Sequence, residues 1–110
     1  MILEGRMSSF REFLVAHGIA ERTAGDYVSR CRRIERELKV SLDSETRTIS
    51  SFVRLIKRIR FLYRPAESEG FAAGSVASQL TGAVRRYAEF RWGKRVTNRY
   101  PLAYGGRYER

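Results

Sequence analysis

The apolar residues of residues 21–39 recur with the period of an α-helix, and this feature constrains the fold more than any other. Six of them follow the i, i+3, i+4, i+7 spacing: Ala24, Tyr27, Val28, Cys31, Ile34 and Leu38. Successive helical residues are rotated by about 100°, so the six occupy roughly a third of the circumference. The segment is therefore predicted to be an amphipathic helix whose apolar side packs on a core.

Three other segments have the same period. The first begins at a capping box formed by Ser9 and Glu12, and Gly18 is its expected stop. The third predicted helix covers residues 45–64, before Pro65, and the fourth covers residues 75–90. We expect a loop at residues 65–74. The apolar stripe of the fourth helix consists of Val76, Leu80, Ala83, Val84, Tyr87 and Phe90.

The sequence thus predicts an all-α protein, a bundle of four helices with an extended basic C-terminal tail. A chain of 110 residues with 43% hydrophobic residues is long enough for one domain with its own core. No segment alternates like a strand. We divide the chain into a leader (residues 1–7), a helical domain (residues 8–95) and a tail or linker (residues 96–110).

The composition argues against several classes of function. A lone cysteine, Cys31, and a lone histidine, His17, offer neither a disulfide nor a metal cluster, so we expect no metal and no cofactor. No apolar run approaches the roughly 20 residues that a membrane span needs. We expect an intracellular, soluble protein that does not bind membranes and is found in the cytoplasm with the nucleoid.

The charge of the chain is strongly positive and unevenly distributed. The formal net charge is +10, and arginines outnumber lysines 19 to 3. Residues 1–45 hold eight basic and eight acidic side chains, whereas residues 46–66 hold six basic and no acidic ones. Because self-repulsion opposes folding, this excess indicates an anionic partner. Arginine suits phosphates and guanine edges particularly well.

The third predicted helix is apolar on one side and basic on the other. Its basic side is an alternative face for DNA or another partner, made of Arg54, Lys57, Arg58, Phe61 and Arg64. A helix lying on a membrane keeps its aromatic residues on the apolar face, and Phe61 breaks that pattern. A simply solvated face remains open, although such faces usually mix both signs of charge.

The order of these elements resembles the core-binding domain of tyrosine recombinases, the phage integrases and their relatives. The resemblance covers about residues 8–95. In the first two helices it rests on Phe10, Phe13, Leu14, Gly18, Thr23 and Tyr27. In the last helix it rests on the length and pattern of GSVASQLTGAVRRYAEFRWGK.

The resemblance implies a SAM-like helical bundle that forms half of a clamp around duplex DNA. In that family the second and fourth helices approach the major groove, while the third tends to face away. The implied DNA-binding residues of the second helix are Arg22, Thr23, Ser29, Arg32, Arg33 and Arg36. Those of the fourth are Ser75, Ser78, Gln79, Arg85 and Arg86. We place Thr81, Gly82 and Glu89 on the same outer face of the fourth helix.

The chain departs from the family in its catalytic residues. The family uses an Arg, a His-x-x-Arg and a nucleophilic Tyr, and no such set is present, so we do not expect an enzyme. From the resemblance we expect the chain to be either part of a longer integrase or a free-standing protein of that fold. Implied partners are duplex DNA, a recombinase catalytic domain and identical subunits.

Two other functions remain open. One is a DNA-binding regulator or architectural protein with the same fold. The other is an interaction module that docks an acidic partner through the basic third helix.

Overall fold

A computed structural model describes residues 2–64 and 71–93, with side chains from 5 to 64 and from 76 to 93. Five helices form in these ranges: α1 (Ile2–Ala16), α2 (Glu21–Leu38), α3 (Leu42–Glu45), α4 (Ile49–Leu62) and α5 (Phe71–Trp92). No strand forms there, which confirms the all-α prediction. The tail at residues 96–110 lies outside the described residues. Within the described ranges, no helix is both long and apolar enough to span a bilayer.

The predicted third helix, residues 45–64, corresponds to α4, which begins later at Ile49, and the additional short helix α3 precedes it. Ser41 caps the short α3 by accepting from the Ser44 amide (3.5 Å), and Thr48 caps α4 by accepting from the Ser51 amide (3.2 Å). Each cap satisfies an amide that has no partner within its helix, so each begins a new helix. The prediction of four helices was wrong because α3 is too short to show a period.

Helix α1 begins at Ile2, not at Ser9, which lies exposed within the helix. The physical reason is that Met7 continues the apolar stripe of Phe10 and Leu14, and only 1% of its surface is exposed. Residues 2–7, separated above as a leader, are therefore the first turns of α1. The stop at Gly18 is confirmed: α1 ends at Ala16, and Gly18 has φ +92°, a value that favours glycine.

The core lies between α2 and α5, with α1 and α4 packed around them. The predicted core residues Cys31, Leu80, Val84 and Tyr87 are all buried. Tyr27 packs against the core but is only half-buried. Helix α5 is also longer than predicted, because residues 71–74, expected in a loop, form its first turn.

An aromatic cluster joins α1 to α5. The ring of Phe10 meets that of Tyr87 edge to face, with centroids 5.2 Å apart, and Phe90 at 5.4 Å. Phe13 packs on Phe90 from the next turn of α1 at 5.4 Å. Such aromatic pairs contribute about 0.5–1.5 kcal/mol each beyond their buried area. They fix the position of α1 on the bundle.

We expect Leu80→Ala to lower the free energy of unfolding by about 2–5 kcal/mol, because it leaves a cavity where α5 packs into the hydrophobic core. Urea denaturation followed by circular dichroism measures the change. Ser78→Ala is the matched control, since Ser78 is exposed on the same helix. It should change stability by less than about 0.5 kcal/mol. Similar small changes for both variants would contradict the packing described here.

Candidate nucleic-acid interface

A basic row runs along the solvent face of α4. We define this α4 row as Arg54, Lys57, Arg58, Phe61 and Arg64, all exposed. Arg54, Lys57 and Phe61 lie at i, i+3 and i+7, so they share one strip of the helix surface. They span about 10 Å along the helix axis.

In the part of the chain that the structure describes, the cations of the α4 row have no acidic partner. Among the described residues, no carboxylate pairs with Arg54 or Lys57, and the same holds for their neighbour Arg60. Arg58 donates to the carbonyl of Leu38 at the end of α2 (3.4 Å), and Arg64 donates to the carbonyl of Phe61. Neither contact cancels a full charge, so the row stays strongly positive.

The contact of Arg58 also has a structural role. The carbonyl of Leu38 is at the C-terminal end of α2, where the helix dipole is negative. A guanidinium there satisfies an orphan carbonyl and ties α4 to α2. Arg58 is therefore partly used by the fold, whereas Arg54 and Lys57 are not.

The cations near the end of α2 are in a different situation. Arg33 donates to both carboxylate oxygens of Glu37 (3.2 Å each) and lies over the ring of Tyr63, 5.1 Å from its centroid. Arg36 is 3.9 Å from the same carboxylate. Hydrogen bonds from Tyr63 and Arg33 lower the pKa of Glu37 below its ordinary value despite a desolvation effect that raises it. One acid thus partly neutralises two of the predicted DNA-binding arginines.

The other predicted residues of α2 differ in their exposure to solvent. Arg22, Thr23 and Ser29 are exposed, as the resemblance implies, while Arg32 is half-buried. The exposed three lie on or beside the side of α2 that is turned away from the core.

The outer face of α5 is mixed. Ser78 and Gln79 are exposed as predicted, and Arg85 is half-buried. Thr81 was expected on this face, but it is 4% exposed and donates to the carbonyl of Ser78 (3.1 Å). It lies at the margin of the apolar stripe, where the helix packs. The side chain of Ser75, on the first turns of α5, lies outside the described residues.

Arg86 connects the two predicted DNA-binding helices. It is half-buried and pairs with Glu89 on α5 at 3.3 Å. Burial by itself lowers the pKa of Arg86, but a hydrogen bond to Tyr27 of α2 and the nearby Glu89 outweigh it, so the pKa is raised. The structure therefore brings these parts of α2 and α5 together, with Arg86 as a link between them.

Gly82 leaves open space on the outer face of α5. Apart from its chain neighbours and the backbone of its own helix, no atom of the described residues lies within 4 Å of the position that a Cβ would occupy there. Gly82 therefore does not mark a crossing of two helices in the described part of the chain.

A polar network that the sequence did not indicate fixes the positions of these helices. Arg6 of α1 donates to the carboxylate of Glu35 on α2 (3.2 and 3.3 Å) and to the hydroxyl of Tyr87 on α5 (2.8 Å). Glu35 also accepts from the backbone amide of Leu42, at the start of α3 (2.8 Å). Desolvation by burial lowers the pKa of Arg6. The hydrogen bonds to Glu35 and Tyr87 outweigh this effect, so the pKa of Arg6 is raised overall.

Asp43 of α3 closes the network on α5. It accepts from the hydroxyl of Tyr87 and from Nε of Arg91 (2.8 Å). Burial raises the pKa of Asp43, but these two hydrogen bonds and the charge of Arg6 outweigh it, so the pKa lies below its ordinary value. Burial and the Asp43 contact raise the pKa of Tyr87. A second link runs from Nε1 of Trp92 to the hydroxyl of Thr46 (2.8 Å).

The described residues offer no group of three His, Cys, Asp or Glu side chains that is placed to hold a metal ion. Cys31 is buried and its Sγ faces the carbonyl of Ala83 at 3.6 Å. Burial raises the pKa of its thiol, with the charge of Glu35 adding to the effect. The thiol is therefore shielded from reagents and held in its neutral form.

The chain was compared with known proteins in three ways. No protein-family model matches it, and neither the curated proteins nor the solved structures contain a match.

We expect Asp43→Asn to lower the free energy of unfolding by about 1–3 kcal/mol at pH 7, because two donors lose a charged acceptor. The folded-state pKa of Asp43 is depressed, so its stabilisation is present above the ordinary carboxyl pKa of about 4 and is lost as pH falls through the folded value. The difference between wild type and variant should therefore shrink as the pH falls below the ordinary carboxyl pKa of about 4. Urea denaturation at a series of pH values measures it.

Asp26→Asn is the control for this experiment, because Asp26 is exposed on α2. It should leave stability nearly unchanged at every pH. A gap between wild type and Asp43→Asn that stays constant from neutral to acidic pH would contradict the role given to the carboxylate.

Proposed function

We propose that the protein is a non-catalytic, duplex-DNA-binding domain whose α4 row makes the main electrostatic contact. One observation carries the proposal: the exposed Arg54 and Lys57 have no acidic partner among the described residues, in a segment without any acid. DNA supplies closely spaced negative charges, and its condensed counterions are released when arginine and lysine replace them.

The α4 row opposes the stability of its own helix. Arg54, Lys57 and Arg58 lie at i, i+3 and i+4, and like charges at these spacings repel each other. Exposed helical faces usually relieve such repulsion with interleaved acids, and α4 contains none. A polyanionic partner relieves the repulsion, which supports a role in binding.

The resemblance to the recombinase core-binding domain gives a second docking mode for the same function. In this mode α2 and α5 enter the major groove, and a recombinase catalytic domain or an identical subunit closes from the other side. The exposed Arg22, Ser29, Ser78 and Gln79 support it, and the open space at Gly82 suits close approach of a DNA backbone. Side chains of these types bind both base edges and phosphates.

An interaction module that binds an acidic protein is the alternative from another class. The exposure of Leu62 beside the α4 row, 50% of its surface, favours this alternative. A protein partner would bury that apolar area together with the charges.

We expect affinity for a short duplex to fall steeply with salt. If about 4–6 phosphates are contacted, the slope of log affinity against log salt concentration should be about −4 to −5. Fluorescence anisotropy of a labelled duplex across a series of salt concentrations measures the slope. Absence of binding at low salt, or a flat salt dependence, would reject DNA as the ligand and favour the acidic protein.

A matched pair of charge reversals separates the two docking modes. The first double variant is Arg54→Glu with Lys57→Glu on α4, and the second is Arg22→Glu with Arg36→Glu on α2. Each substitution removes one positive charge and adds one negative charge, so both double variants have a formal net charge of +6 instead of +10. All four positions are exposed, so neither change disturbs the core.

We expect the α4 pair to weaken duplex binding by at least tenfold more than the α2 pair does. Because the two proteins carry the same net charge, the difference reports the location of the contact, and charges farther than about 8–10 Å are screened at physiological salt. The duplex affinities of both double variants at two salt concentrations distinguish the two docking modes. Thermal unfolding checks that both variants are folded. A larger loss from the α2 pair would favour the recombinase-like docking mode instead.

A further inference from the structure

Phe61 is an aromatic side chain placed among cations rather than in the core. Four large hydrophobic residues are exposed in the described part of the chain: Val15, Ile49, Phe61 and Leu62. Phe61 is the most exposed of them, at 61% of its surface, and the only aromatic one. Its position in the α4 row needs an explanation that charge alone does not give.

Arg64 holds one face of the Phe61 ring. Its guanidinium carbon lies 4.0 Å from the ring centroid, and the same guanidinium donates to the backbone carbonyl of Phe61. The cation–π contact and the hydrogen bond together fix Arg64 and the ring as a stacked pair. An aromatic ring has two faces, and the large exposed fraction leaves the other available to a ligand.

The charges around the ring restrict what that ligand can be. Lys57 is at i−4 from Phe61, so the two side chains are neighbours, with Cβ atoms about 5–6 Å apart. An apolar partner that covered the ring would also desolvate Lys57 and Arg64 without compensating their charge, which is costly. The ligand must therefore offer a flat π surface to the Phe61 ring and a negative charge to the cations about 5–6 Å away. A nucleotide that is not base-paired has both.

We propose that Phe61 stacks on an unpaired DNA base while Lys57 and Arg64 bind the phosphates beside it. This inference rests on the proposed function, because it assumes that DNA lies along the α4 row. The bases of an intact duplex are stacked inside it, so a ring on a helix surface reaches a base face only at a gap, a flipped base or a strand end. The α4 row would then prefer DNA with an interrupted strand over intact duplex.

The experiment compares two DNA ligands of the same sequence, an intact duplex and a duplex with a three-nucleotide gap in one strand. The unpaired stretch opposite the gap contains 2-aminopurine, a fluorescent base whose emission is quenched when an aromatic ring stacks on it. The variants are Phe61→Leu, which keeps apolar volume but removes the ring, and Phe61→Trp, which keeps a stacking surface. Leu62→Ala is the matched control, because Leu62 is an exposed apolar neighbour without a ring.

We expect Phe61→Leu to weaken binding to the gapped duplex by about tenfold or more, within the range observed for loss of one base–aromatic stack. Its affinity for the intact duplex should change by less than about twofold, since no stack is formed there. Phe61→Trp should retain the affinity for the gapped duplex, and Leu62→Ala should affect both ligands little. Quenching of 2-aminopurine should occur with wild type and Phe61→Trp but not with Phe61→Leu.

The outcomes separate this inference from the proposed function. If wild type binds neither ligand at low salt, both fail. A second case is that wild type binds the intact duplex with a steep salt dependence. If Phe61→Leu then changes the affinities for both ligands equally, or changes neither, only the stacking inference fails. Thermal unfolding of each variant confirms folding, and we expect no change because Phe61 is outside the core.

Discussion

The hydrogen bonds among Arg6, Glu35, Tyr87 and Asp43 are the interaction on which the arrangement of the helices depends. They join α1, α2, α3 and α5 in one part-buried network. A buried polar network is stabilising only when all its members are satisfied, so the helices have to meet at this point in one geometry. Apolar packing is less directional and would tolerate shifts along the helix axes. The network therefore sets the register in which the apolar stripes meet.

The same network helps to explain where the positive charge of the protein is found. Four acids of α2, α3 and α5 are engaged within the fold: Glu35 and Asp43 bind Arg6, Glu37 binds Arg33, and Glu89 binds Arg86. Residues 1–45 are balanced in charge, and two of their eight acids, Glu35 and Asp43, bind arginines of other helices. Helix α4 has no acid of its own. Its exposed cations thus remain uncompensated in the described part of the chain, which is why α4 is the stronger candidate for contact with DNA.

The two docking modes predict different kinds of recognition. Contact through the α4 row would use mainly phosphates, so binding would be tight at low salt, strongly salt-dependent and weakly selective for sequence. Contact through α2 and α5 would place Arg22, Ser29 and Gln79 near base edges, which allows direct readout of sequence. Stacking by Phe61 adds a third kind of selectivity, for the structure of the DNA rather than for its sequence. Regulators, architectural proteins and recombinases differ in which of these they need.

The sequence by itself determined the helical class, the apolar stripes of α2 and α5, the stop at Gly18 and the acid-free face of α4. These features depend on residues a few positions apart, so a period of 3.6 or a local charge count reveals them. Only the tertiary structure decided that Arg6 and Met7 belong to the bundle, that Thr81 is buried, and that Arg33 lies over the ring of Tyr63. The physical reason is distance along the chain: Arg6 meets Glu35 and Tyr87 across 29 and 81 residues, and Tyr63 follows the end of α4, a different helix from that of Arg33. Contacts of that kind leave no local pattern.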